Sequence, residues 1–142
     1  MMPFPARLPP RCTRFANRIR ANSLLVRTGA LYHDIGKMTN PVFFTENQVG
    51  VNPHDQLSDL ESAQIIISHV SEGLKMAEKV GLPGIIKDFI TTHHGTGITK
   101  YFYINYCNAH PTEVIDKSQF QYPGPNPFTR EQAILMMADT VE

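Results

Sequence analysis

The groups in this sequence best suited to chemistry are four histidines and two aspartates. His33 and Asp34 are adjacent in LYHDIGKM, His69 stands alone in an apolar pattern, His93 and His94 form a pair, and Asp139 comes late in the chain. Taken singly, any of these histidines is more often a satisfied core or surface residue than a ligand. His54 and His110, each beside a proline in loop-like sequence, are read that way. The other six groups fall on or beside apolar helical faces, where an imidazole or carboxylate is costly unless it is paired or coordinates a metal. Imidazole mixed with carboxylate suits iron, manganese, nickel or zinc better than magnesium or calcium. Asp34 has two oxygens and could bridge two ions. Two neighbouring ions can hold a phosphate and activate water for in-line attack.

These groups need helices to position them. Ser23 to Ile35 carries Leu24, Leu25, Thr28, Leu31 and Ile35 at helical spacing, with Gly36 as the stop. Residues 37–57 contain Pro41, Gly50 and Pro53 and read as a long ordered loop, anchored by Phe43 and Phe44. Ser58-Asp59-Leu60-Glu61 is a capping box. The helix it opens runs to about Val80, with Leu60, Ala63, Ile67, Val70, Leu74 and Ala77 in one stripe and Gly81 at its end. Pro83 starts a shorter helix that faces Ile85, Ile86, Phe89 and Ile90 inward and stops at Gly95. Tyr101 to Asn108 fits helix or strand and is read as helix. Residues 111–128 are a proline-rich loop, and a second capping box, Thr129 to Gln132, opens a last helix through Asp139. No run alternates cleanly enough to require a sheet, and no internal repeat is present, so the expected class is all-α.

At 142 residues the chain is long enough for one domain with a single core. Its net charge is zero, but every charged residue before Asp34 is an arginine: Arg7, Arg11, Arg14, Arg18, Arg20 and Arg27. All 13 acidic residues lie from Asp34 onward, so no long basic stripe offers a surface to duplex nucleic acid. The Arg-rich start imitates a transit peptide, but Pro3, Pro5, Pro9 and Pro10 interrupt the amphipathic helix that this reading needs. No apolar run is long enough to cross a bilayer and there is no secretory h-region, so a soluble, cytoplasmic chain is expected. Cys12 and Cys107 are far apart and are expected to be free thiols. Residues 1–14 read as an unstructured leader, with the folded domain over 15–142.

His33-Asp34 followed by Ile35-Gly36-Lys37, then His69, His93-His94 and Asp139, resembles the HD phosphohydrolase superfamily. More narrowly, LYHDIGKMTNPVFFTENQ, NPHDQLSDLESAQIIISHVSEGLKMAEKVGLP, IIKDFITTHHGTGITKYFY and AILMMADTVE resemble the HD domain of seven-transmembrane HD proteins that hydrolyse cyclic di-AMP. The resemblance covers roughly residues 15–142. It implies an HD helical bundle holding two divalent transition-metal ions, iron or manganese. Asp34 would bridge them, with His33 and Asp139 on one ion and His69, His93 and His94 on the other. The product would be the linear dinucleotide pApA. Lys37 would help neutralise the phosphate; as a helix-end lysine it also favours that terminus without any ligand. Thr96, Gly97 and Tyr101 would line the nucleotide pocket, while Tyr103 and Tyr106 are equally suited to the core. The family's full-length proteins are membrane-anchored, with the HD domain on the cytoplasmic face.

The sequence departs from that pattern in one respect. The family's motif opens with a further histidine about one helix before the His-Asp pair, and no histidine precedes His33 here. The first metal position is therefore expected to be one ligand short, and residues 1–14 to be foreign to the fold. The chain also stops soon after Asp139, so the domain is expected to be incomplete at both ends. A catalytically inactive HD fragment that binds nucleotide or a partner is the competing reading. Another HD nucleotide phosphohydrolase is a third, such as a nucleotidase or a (p)ppGpp hydrolase. A cyclic di-GMP hydrolase ranks low, because Gly95-Thr96-Gly97-Ile98-Thr99 replaces the Gly-Tyr-Pro expected after the histidine pair.

Overall fold

The structure is a computed structural model that describes residues 10–141. Six α-helices follow in order: α1 (Pro10–Arg18), α2 (Ser23–Tyr32), α3 (Asp59–Lys79), α4 (Gly84–Thr92), α5 (Lys100–Ala109) and α6 (Arg130–Val141). Among the described residues the only β pairing is an isolated antiparallel bridge between Ile98 and Gln121, so the all-α expectation holds. No helix among them is long and apolar enough to cross a membrane. Helix α1 starts inside the stretch expected as a leader and buries Ala16 completely. Residues 1–9, which make up the rest of that stretch, lie outside the described residues, as does the side chain of Cys12.

The long helix α3 is the spine, and α4 and α5 pack on it. Its start is the expected capping box. Ser58 Oγ accepts from Glu61 N–H at 3.2 Å, and Glu61 Oε2 accepts from Ser58 N–H at 2.9 Å. These bonds satisfy two amide donors that a helix start leaves without partners. Ser58→Ala is expected to lower stability by about 1 kcal/mol, read as a lower midpoint in thermal or urea unfolding with the same metal content. An unchanged midpoint would show that water caps this helix equally well.

A second layer joins α2, α4 and α6 through small residues. Ala16, Ala21, Val26 and Ile134 form one cluster, and Ala30, Phe89 and Leu135 another. A Cβ on Gly29 would overlap the Phe89 ring, so this glycine lets α4 close on α2. The chain ends of α2 and α6 are also tied. Asn22 N–H donates to Glu131 Oε1 at 2.8 Å, and Arg130 Nη1 donates to the Ile19 carbonyl at 3.1 Å. This lays α6 along α2 and brings Asp139 to His33. The α6 start differs from the expected box in one bond. Thr129 Oγ1 accepts from Gln132 N–H, but buried Gln132 turns its Oε1 to Phe128 N–H at 3.0 Å instead of to Thr129.

Helix α2 ends at Tyr32 rather than Ile35, and the chain tightens into a 3₁₀ turn over Ile35–Thr39 that lies on α3. The expected loop over 37–57 is a succession of such turns, at Pro41–Phe43, Thr45–Asn47 and Pro53–Gln56. Phe44 is buried within it, as expected of an anchor.

Candidate metal centre

His33, His69 and His93 are presented in the same way. Each ring donates its Nδ1–H to the carbonyl three residues earlier on its own helix: Ala30 at 2.7 Å, Ile66 at 2.5 Å and Ile90 at 2.8 Å. A carbonyl can only accept, so Nδ1 carries a proton and each ring, when neutral, offers a bare Nε2. The three residues are 6, 2 and 1 % exposed. The Nε2 atoms of His69 and His93 stand 3.1 Å apart, lone pair facing lone pair.

Asp34 lies between them. Its Oδ1 is 3.4 Å from His69 Nε2 and 3.3 Å from His93 Nε2, while its Oδ2 is 3.2 Å from His33 Nε2. Asp139 reaches in from α6, with Oδ1 3.4 Å from His33 Nε2 and Oδ2 3.9 Å from His94 Nδ1. The donors thus fall into two groups that share Asp34: Asp34, His69, His93 and His94 in one, and His33, Asp34 and Asp139 in the other. All six ligand candidates read from the sequence converge here.

The electrostatics are those of a site short of positive charge. Burial alone would raise the Asp34 carboxyl, but the His33 imidazolium beside it holds it far below the usual carboxylate range. Burial would lower His33, yet Asp139 and Asp34 push it up to about 10. His94 is driven down to about 3 by burial and by the adjacent His93 and His69, and His93 is also depressed, chiefly by burial. Without a cation, one proton on His33 holds the cluster together. His33 Nε2 and Asp34 Oδ1 are nonetheless fully buried with no hydrogen-bond partner. Bare imidazole nitrogens and carboxylate oxygens that crowd together without donors fit a divalent transition metal.

The cluster opens into a cleft of about 570 Å³. Lys37 stands at its mouth, with Nζ 2.9 Å from Asp34 Oδ2 and 2.8 Å from Glu46 Oε1, and 5.1 Å from the centre of the Phe44 ring. Those carboxylates outweigh burial and keep the lysine charged. Tyr101 also lines the cleft. Thr96 and Gly97 do not line it. The chain turns away after Gly95, whose φ is +54°. Thr96 N–H then donates to Asn126 Oδ1 at 3.0 Å, and the Gly97 carbonyl accepts from Tyr122 N–H at 2.8 Å. These two residues brace the wall instead of forming it.

The sequence did not single out Glu46, His54 or Tyr122, all of which line the cleft. His54, expected to be an ordinary loop histidine, donates Nε2–H to the Phe43 carbonyl at 2.8 Å and leaves Nδ1 buried without a partner. The only signal for it was Asn52-Pro53 ahead of it, which marks a turn. Tyr122 stacks on His94, and nothing in its proline-rich surroundings announces that contact.

The HD domain family model matches residues 11–142. The chain is 44 % identical over 128 residues to the cyclic-di-AMP phosphodiesterase PgpH of Listeria monocytogenes, covering 89 % of this chain and 18 % of that protein. It is 47 % identical over 132 residues to an uncharacterized protein of Synechocystis, covering 89 % of this chain and 16 % of the relative. The crystal structure of the L. monocytogenes phosphodiesterase PgpH HD domain in complex with cyclic-di-AMP superposes with a TM-score of 0.87 at 42 % identity, over 92 % of this chain and 60 % of that one. The chain thus spans less than a fifth of the length of these curated relatives.

Proposed function

This chain belongs to the HD domain family, and from that premise we propose that it is a metal-dependent phosphodiesterase domain hydrolysing cyclic di-AMP to pApA. The observation that carries the reading is Asp34, which offers one oxygen to each of two donor groups, in a cluster whose His69 and His94 line the cleft. The similar PgpH domain was crystallised with cyclic-di-AMP, which supports that substrate class. His69, His93, His94 and Asp34 would hold one divalent ion, and His33, Asp139 and Asp34 the other, with iron or manganese favoured by the donor set. When bound, such ions supply Lewis acidity and lower the pKa of water towards neutrality.

The chain's own residues do the rest. The carbonyl bonds behind His33, His69 and His93 fix the tautomer and aim each Nε2 inward. Lys37 places a positive charge beside Asp34, where a phosphate entering the cleft would meet it, and Glu46 holds the lysine upright until then. Tyr101 and Phe102 give the outer cleft aromatic surface for a nucleobase.

A second reading is favoured by one observation. Among the described residues the His33 group has three donor side chains where the other has four. If that smaller group held no ion, the domain would bind the dinucleotide without cleaving it. The deciding experiment incubates the purified chain with cyclic di-AMP and manganese or ferrous iron, and separates pApA by chromatography. Product above a His33→Ala, Asp34→Ala control is expected. A folded chain that binds cyclic di-AMP but releases no pApA would replace the enzyme reading with the binding one.

A further inference from the structure

Three of the four clustered histidines are held from behind by their own helices, and the fourth is not. His33, His69 and His93 each bond a carbonyl one turn back. Among the described residues no such bond holds His94. Its Nδ1 is turned towards Asp139, 3.9 Å from Oδ2. The ring instead lies flat on Tyr122, with centroids 4.2 Å apart and planes 16° from parallel.

We propose that Tyr122 is the positioning residue for His94: its ring sets the tilt of the imidazole and so completes the donor group of Asp34, His69 and His93. The inference rests on the metal reading of the cluster. A ring bonded through a nitrogen has that nitrogen committed. A stacked ring has its orientation fixed while both nitrogens stay free, one of which is needed for a ligand.

Tyr122 is built to act in this way. It is 9 % exposed, and its N–H donates to the Gly97 carbonyl at 2.8 Å beside the Ile98–Gln121 bridge. Gln121 Nε2 donates to the Thr96 carbonyl at 2.8 Å. The segment that follows His94 is therefore stitched to the segment carrying Tyr122, and the two rings are fixed relative to each other. The role belongs to the ring face, so the phenolic oxygen is dispensable for it.

The test titrates the metal-free chain with Co²⁺, reading affinity by calorimetry and ligand geometry by visible absorption. Tyr122→Phe is expected to keep the wild-type affinity and spectrum. Tyr122→Leu is expected to weaken Co²⁺ binding by about 10- to 100-fold and to change the spectrum, with unchanged far-ultraviolet circular dichroism. Tyr122→Met, unbranched and flexible, replaces it should the leucine variant misfold. Wild-type affinity and spectrum in the leucine or methionine variant would overturn the proposal. So would a phenylalanine variant as impaired as leucine, since that would assign the role to the hydroxyl. A wild-type chain that binds Co²⁺ but does not cleave cyclic di-AMP would refute the proposed activity and leave Tyr122 in place. A wild-type chain that takes up no Co²⁺ would refute both.

Discussion

Asp34→Asn is expected to lower cyclic di-AMP hydrolysis by on the order of 10³-fold while leaving the metal-free fold within about 2 kcal/mol of the wild type. The two effects have one cause. The Nδ1–H groups of His69 and His93 are committed to carbonyls, so their Nε2 atoms face Asp34 as lone pairs. A carboxylate answers them with more lone pairs, which suits a cation and little else. A carboxamide keeps the shape, removes the negative charge, and offers two N–H donors to the same nitrogens. It relieves the metal-free site and weakens its hold on metal. Metal analysis after manganese loading and thermal unfolding in chelator separate the two effects. Full metal content in the variant, or a metal-free fold weaker by more than about 2 kcal/mol, would show that Asp34 is a structural ion-pair hub.

The same substitution should alter the pH dependence of the metal-free chain. His33 is held up to about 10, above its ordinary 6.5, by Asp139 and Asp34 acting against burial. A raised value means the folded state keeps a proton that the unfolded state gives up. That contribution is complete below about pH 6.5 and is lost as pH rises through about 10. The metal-free wild type should therefore melt at progressively lower temperature across that window. The slope should be shallower in Asp34→Asn, where one of the two supporting carboxylates is gone.

The candidate ligand set was legible because burial and chemistry conflict at each of its members. His69 stands beside an apolar stripe, and His93 and His94 follow Phe89 and Ile90, so each side chain needs a reason to be where it is. The helices were legible from spacing and from the Ser58 and Thr129 starts. The residues around the candidate ligands were less so, because nearness in sequence is not nearness in space. Thr96 and Gly97 follow the histidine pair directly, yet the left-handed turn at Gly95 carries them out of the cleft. Tyr122, Glu46 and His54 enter from loops whose paths depend on long-range contacts. Glu46 meets Lys37 because the 3₁₀ turns between them fold the chain back on itself. The end of α2 is hidden from the sequence for a related reason. Helical periodicity continues to Ile35, but the backbone must tighten there to bring Gly36 onto α3.

That contact carries the second large effect. Gly36→Ala is expected to cost about 3 kcal/mol or more, at or beyond the upper end for an added methyl group. A Cβ at Gly36 would overlap the His69 carbonyl oxygen and lie 2.5 Å from the Gly73 amide nitrogen. Both neighbours are backbone inside the longest helix, so neither can swing aside as a side chain would. The Ile35–Thr39 turn must lift off α3 instead. Gly73 is the matching half of the crossing, since a Cβ there would meet Ile90 Cγ2 at 3.0 Å and Gly36 N at 3.2 Å. Because Ile90 can adjust, Gly73→Ala should cost less. Gly84→Ala, with nothing within 4 Å of the added carbon, should be neutral or slightly stabilising. The loss at Gly36 is a large share of the roughly 5–15 kcal/mol that holds a domain together, and should lower the melting temperature by about 10 °C. It should also weaken metal binding, because the lifted turn carries Lys37 and is continuous with Asp34, which faces His69 on the helix being left. A Gly36→Ala chain that melts with the wild type and binds manganese equally well would mean that the turn and α3 are not pressed together. The glycine that follows the His-Asp pair is there because two backbones meet, and that meeting sets the distance between Asp34 and His69.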